Sequence, residues 1–224
     1  MARSYAQFCP AARTLDVLGE RWTMLILREL LAGPMRWSDL DDALPGLGPT
    51  LLSQRLRDLE HAGYVGRREL PPPAARTVYE LTELGRQAEP VLMAIGRLGV
   101  RYLDEPTDEQ PFLDRIARFG LKSMLALEAL TERELSIGLE LEEMTATIRI
   151  GERRDESGRL RRFHERVEVS DRMDDTADVL VSGSIGVLVW HQQGLLTTEQ
   201  ALAELDVRGD DDHVAHAFEL LGLT

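Results

Sequence analysis

Two prolines and two glycines within the five residues Pro45-Gly46-Leu47-Gly48-Pro49 admit neither a helix nor a strand, so the chain must turn there. Whatever precedes the turn is a separate element from whatever follows it. Upstream, apolar residues recur at helical spacing from Cys9 to Leu31 and are interrupted near Gly19, which predicts two helices, the second ended by Gly33-Pro34. Ser38, followed by Asp39 and Leu40, reads as the N-cap of a short third helix. Downstream, Thr50 is placed to cap a helix running to about Ala62, with Leu52, Leu56 and Leu59 on one face and Gly63 closing it. Its other face carries Thr50, Ser53, Gln54 and Arg57.

Next come a strand over Tyr64 to Leu70, the loop Pro71-Pro72-Pro73-Ala74-Ala75-Arg76, and a second strand over Thr77 to Leu81. Three prolines cannot lie inside a sheet and therefore mark the connection of a β-ribbon. Helix, turn, helix, then ribbon is the order of a winged helix-turn-helix. Thr82 then caps a long helix, Glu83 to about Leu103, whose apolar positions Leu84, Val91, Leu92, Ile95, Leu98 and Val100 exceed what one small domain covers, and a partner helix is expected.

The polar stretch 104–111 holds two prolines and no periodicity and is taken as a linker, dividing a domain of residues 1–103 from one of residues 112–224. Helical spacing over Phe112 to Leu130 gives way to alternation at Leu135, Ile137, Leu139 and Leu141, at Ala146, Ile148 and Ile150, and at Val167 and Val169. Asp155-Glu156-Ser157-Gly158 supplies a hairpin turn, and Ala177 to Ser182 a further strand. Ser184 opens a helix through Trp190, Thr197 and Gln200 have capping-box spacing, and Asp211 or Asp212 caps a last helix. The fold class is α+β: an N-terminal winged helix-turn-helix domain and a C-terminal α+β domain with a mainly antiparallel sheet.

Net charge is −13, which taken alone argues against a nucleic-acid partner. The halves differ, however: residues 1–103 hold 13 arginines against 12 acids, and the remainder 13 basic residues against 27 acids. Phosphate binding follows local charge, so the near-neutral first half can still bind DNA. No apolar run approaches the roughly 18 residues of a membrane span. With no signal-like N-terminus and a single cysteine, a cytoplasmic protein is expected.

Cys9-Pro10 through Leu31, Arg36-Trp37-Ser38-Asp39-Leu40, Leu51 to Arg67, and Tyr79-Glu80-Leu81-Thr82-Glu83-Leu84-Gly85 together resemble the HxlR family of winged-helix regulators. The resemblance covers about the first 103 residues. It implies a homodimeric transcription regulator with the helix after Pro49 in the major groove of operator DNA, and a repressor is expected. Trp37 stands where a phenylalanine-like aromatic is expected, and the ribbon loop is unusually proline-rich. The second half, through Ala177-Asp178-Val179-Leu180-Val181-Ser182-Gly183 and Val207-Arg208-Gly209-Asp210, is similar to sterol-carrier-protein-type domains.

Candidate DNA contacts are Arg36, Thr50, Ser53, Gln54, Arg55, Arg57 and Arg76, whose hydroxyl, amide and guanidinium groups suit base edges and phosphates. Only one of Arg67 and Arg68 can face DNA, because strand neighbours point to opposite faces. Cys9 precedes Pro10 at an expected helix N-terminus, where the dipole favours thiolate, and several members of the family sense oxidants through a cysteine at this motif. A buried hydrophobe is the plain alternative for Cys9.

The sterol-carrier-like reading implies a cavity for an apolar effector lined by Leu139, Leu141, Ile148, Val179, Val187 and Trp190, against the alternative that these residues fill a solid core. His213 and His216 beside Asp210, Asp211 and Asp212 read as a capped, solvated helix end rather than a metal site. No phosphate-binding loop, nucleophile elbow or catalytic carboxylate pair is present in the sequence, so neither enzyme activity nor a cofactor is expected. The rival to a DNA-binding regulator is a hydrophobic-ligand carrier or an inert interaction module with DNA binding secondary.

Overall fold

The structure is a computed structural model that describes residues 4–71, 76–104, 114–126, 129–131, 133–152, 154–161 and 163–224. Most of the ribbon loop and of the expected linker lies outside the described residues. Two compact units are formed, Met1–Leu92 and Met93–Thr224. Residues 93–103, which the expected linker at 104–111 leaves in the first domain, pack with the second: Val100 joins its core, and Arg97 donates to the carbonyls of Ser123 and Leu125.

In the first unit the elements are α1 (Pro10–Leu18), α2 (Thr23–Leu31), α3 (Trp37–Ala43), α4 (Pro49–His61), β1 (Val65–Leu70), β2 (Arg76–Leu81), α5 (Glu83–Arg86) and α6 (Glu89–Gly99), the last running through the division. Ile26, Leu27, Leu40, Leu44, Leu52, Leu56 and Leu59 are all fully buried and form the core under the helices. β1 and β2 pair antiparallel, from Val65 opposite Leu81 to Leu70 opposite Arg76. Met35 adds a third partner, since its amide donates to the Tyr79 carbonyl and the Tyr79 amide donates back. This is a winged helix-turn-helix.

The helix starts differ from expectation for local reasons. α4 takes Gly48 as N-cap and Pro49 at its first position, where a fixed φ and a missing N–H are no handicap, so Thr50 lies inside the helix. α3 begins at Trp37, with the Asp39 carboxylate accepting from the Arg36 amide, and Ser38 is not its cap. The expected helix over 83–103 is three pieces, α5, α6 and the 3-10 turn Val100–Tyr102. Pro90, the second residue of α6, has no N–H to donate to the preceding turn and fixes the break.

The second unit continues with α7 (Asp114–Met124), β3 (Leu135–Leu141), β4 (Thr145–Ile150), α8 (Phe163–Arg166), β5 (Val167–Ser170), β6 (Val179–Gly183), α9 (Ile185–Gln192), α10 (Thr198–Ala203), β7 (Asp206–Gly209) and α11 (Asp211–Leu221). Its five strands are ordered β5-β4-β3-β6-β7, antiparallel except for the β3–β6 pair. Thr197 and Gln200 form the capping box that their spacing predicts, whereas Asp210, rather than Asp211 or Asp212, caps α11. Leu139, Ile148 and Val179 have no accessible surface, as side chains packed on all sides do not, and Leu141 and Val187 retain 5% and 4%. Trp190 is not interior: it is 40% exposed on α9.

Candidate nucleic-acid interface

α4 is built to show one face. Leu52, Leu56 and Leu59, at i, i+4 and i+7, are buried, and this fixes Thr50, Gln54, Arg57 and His61 on the exposed side. The turn before it is held by an unusual residue: Trp22, the N-cap of α2, adopts φ +79°, a left-handed conformation disfavoured for a bulky side chain. Its ring lies beside Gly46, where an added Cβ would stand 3.7 Å from it, and Gly46 itself has φ +88°. The Arg21 guanidinium lies over the same indole, 5.4 Å from its centroid.

The predicted contact residues divide into two groups. Thr50, Gln54 and Arg57 are exposed on α4, Arg36 is exposed at the N-cap of α3, and Arg76 is exposed where β2 begins. Among the described residues, none of these three arginines is paired with a carboxylate, so their charge is available to an outside partner. Arg55 and Ser53 face inward instead. Arg55 Nη2 lies 2.6 Å from the Glu20 carboxylate, its Nε donates to the Arg21 carbonyl at 3.2 Å, and its Nη1 reaches Asp58 at 3.4 Å. Its side chain is only 15% exposed, so it braces α4 against the α1–α2 turn. Ser53 Oγ accepts from Trp37 Nε1 at 3.2 Å and ties α4 to α3.

In the ribbon, Arg67 pairs with Glu60 and stacks 5.2 Å over the Tyr79 ring, while Arg68 is held by both oxygens of Glu80. Neither is a free cation. Cys9 is half-buried at the N-cap of α1, as its place before Pro10 predicts. The segment before it is fastened to α1 through Asp16, whose carboxyl is held below the usual range by the Tyr5 backbone N–H, then by Ser4 and Arg13. This arm leaves Tyr5 and Phe8 exposed.

At the other end of the chain, His213 Nδ1 is bonded to the Asp210 carboxylate, which is held below its ordinary pKa chiefly by that contact. His216 is buried rather than solvated, its Nε2 lying 3.3 Å from both the Thr131 hydroxyl and the Ala129 carbonyl. Among the described residues no cluster of histidine, cysteine and acids is arranged to hold a metal. An open cleft of about 320 Å³ in the second unit is polar, lined by Arg149 and residues 170–175. No helix is long and apolar enough to cross a membrane among the described residues.

A helix-turn-helix whose second helix rests on a leucine-packed support, followed by a two-stranded wing, is the winged-helix arrangement. Residues 17–107 match the HxlR-like helix-turn-helix family. The chain is 41% identical over 101 residues to an uncharacterized HTH-type transcriptional regulator of Synechocystis sp., sll1512, a match covering 45% of this chain and 75% of the relative. It is 36% identical over 100 residues to YvaP of Bacillus subtilis, described in the same words, covering 44% of this chain and 93% of the relative. Among solved structures it is similar to the reduced form of the transcriptional regulator YodB from B. subtilis, with 30% identity, a TM-score of 0.38, and coverage of 46% of this chain and all of that one. The chain belongs to the HxlR-like helix-turn-helix family and is a DNA-binding transcriptional regulator.

Proposed function

We propose that the chain is a cytoplasmic homodimer that represses a promoter by occupying an operator through α4, Arg36 and Arg76. The exposed Thr50, Gln54 and Arg57 on a helix whose opposite face is locked by buried leucines carry this reading. Arg36 and Arg76 flank that helix in the winged-helix order and supply phosphate contacts. The acid excess of residues 104–224 keeps that part of the chain off the phosphates.

The dimer is supported by one apolar row. Val91, Ile95 and Leu98 of α6 are spaced by four and three residues and are 47%, 50% and 64% exposed, the pattern of a helix awaiting a partner. The solid packing at Leu139, Ile148 and Val179 favours an interaction module over an effector pocket in the second unit. A co-purifying apolar molecule in native mass spectrometry would reverse that assignment.

A gel shift with the DNA upstream of the gene, joined to a promoter fusion for the sign of regulation, tests the whole reading. Arg57→Ala is expected to weaken operator binding by about 1–3 kcal/mol with no change in melting temperature. Arg55→Ala is expected to lower stability by about 1 kcal/mol, because it removes a partly buried ion pair, and to weaken binding only through the displaced helix. Equal affinities for wild type and Arg57→Ala would take α4 out of the interface.

Thiol control of operator binding runs through Cys9, the one cysteine of the sequence. Diamide is expected to link two wild-type chains on a non-reducing gel and to alter operator binding, with neither effect in Cys9→Ser. Wild-type binding that is indifferent to diamide removes Cys9 from regulation.

A further inference from the structure

Gln54 is exposed on α4, and both ends of its amide are engaged. Its Nε2 donates to Asp58 Oδ1 at 2.7 Å, and its Oε1 accepts from Arg57 Nη2 at 2.9 Å. A carboxylate can only accept and a guanidinium can only donate, so these two neighbours dictate which end of the amide is nitrogen and which is oxygen. Each end keeps unused capacity: a second N–H on Nε2 and a second lone pair on Oε1.

An N–H beside an acceptor oxygen is the complement of one base edge in the major groove. Adenine presents the N7 acceptor beside the N6 amino donor and takes up both groups. Guanine offers two acceptors there and leaves the amide oxygen unpaired. Thymine offers one acceptor and a methyl group, and cytosine one donor, so each leaves half of the amide unsatisfied.

We propose that Gln54 reads an adenine in each operator half-site, with Asp58 as the positioning residue that orients its amide. This rests on the DNA-binding reading above. It also accounts for Asp58, a carboxylate on a helix that faces phosphates, where a negative charge opposes binding unless it does something else. Asp58 is half-buried, and the Arg55 guanidinium at 3.4 Å offsets its charge on the side away from Gln54.

The test uses the full-length protein, selection from randomised duplexes, and titration of duplexes that differ at single positions. Wild type is expected to prefer adenine at one position per half-site by about 5- to 150-fold. Gln54→Ala is expected to abolish that preference and leave the others, and Gln54→Glu to move it to cytosine, whose N4 amino group donates to a carboxylate. Asp58→Ala should narrow the adenine preference several-fold. Asp58→Asn, whose side-chain oxygen still accepts from Gln54 Nε2, should restore it.

Each preference is a ratio of affinities within one variant, so a general loss of stability or binding cancels. An adenine preference that survives Gln54→Ala overturns the assignment. Loss in Gln54→Ala with full retention in Asp58→Ala overturns the positioning role. A wild-type chain that selects no sequence at all fails at the earlier step, the DNA-binding reading, and takes this one with it.

Discussion

The double variant Ile95→Asp, Leu98→Asp is expected to sediment as a monomer of about 25.2 kDa where the wild-type chain sediments at twice that mass. Both side chains are at least half exposed, so aspartate in the isolated chain is solvated and the fold is retained, which far-UV circular dichroism checks. In a dimer the same carboxylates face their symmetry copies across an apolar seam, and four desolvated charges are not tolerated there. Operator affinity should then fall by about 100-fold or more, because two linked half-site contacts become one. The effect should exceed that of any single α4 substitution. A double variant that remains dimeric and binds like wild type places the dimer contact elsewhere.

How much of this was legible in the chain depends on how far apart the deciding residues lie. The turn at residues 45–49, the leucine stripe of α4 and the paired strands around the prolines are set by neighbours, and their patterns predict the winged helix directly. The sheet of the second unit was equally open to alternation, since Ile137, Leu139 and Leu141 on β3 and Ala146, Ile148 and Ile150 on β4 are buried as the period of two requires. Two local signals were present and outweighed. Pro49 at the first position of α4 and Pro90 at the second of α6 each mark a helix start, yet Thr50 and the unbroken run of apolar spacing suggest other boundaries.

Other features could not be read from spacing at all. Arg55 and Arg57 are the same residue type two positions apart on one helix. What separates a brace from a contact is Glu20, 35 residues away, which claims the first and not the second. α9 is apolar on every side at Ile185, Val187, Leu188, Val189 and Trp190, so no stripe announced that Trp190 would face solvent. The orientation of Gln54 is local, at i+3 and i+4, and is the one part of the interface whose geometry the helical repeat alone could have supplied.

Gly85→Ala and Gly120→Ala make the same chemical change within a helix and are expected to move stability in opposite directions. In a solvent-facing helix the change to alanine is favourable by about 1 kcal/mol, because alanine loses less backbone freedom on folding. Gly120 in α7 fits that case, with nothing within 4 Å of an added Cβ, and its variant should melt slightly higher. Gly85 in α5 does not. Its added Cβ would stand 2.0 Å from the Tyr64 carbonyl oxygen and 3.2 Å from Leu81 Cβ.

That carbonyl cannot withdraw without loss, because it accepts from the Thr82 amide while the Thr82 hydroxyl donates to the adjacent Gly63 carbonyl at 2.6 Å and caps α5 through the Gly85 amide. The junction at the base of the wing is thus one connected set of hydrogen bonds, and the sequence Leu81-Thr82-Glu83-Leu84-Gly85 is the set that closes it. Forcing it apart should destabilise the first unit by about 3 kcal/mol or more, at the upper end of overpacking effects. Operator binding should fall with it, since β1 and β2 enter and leave the wing through these residues. Thermal and urea melts of the two variants give the signs directly, and a Gly85→Ala chain as stable as wild type would mean that the close approach at Tyr64 is not a constraint on this fold.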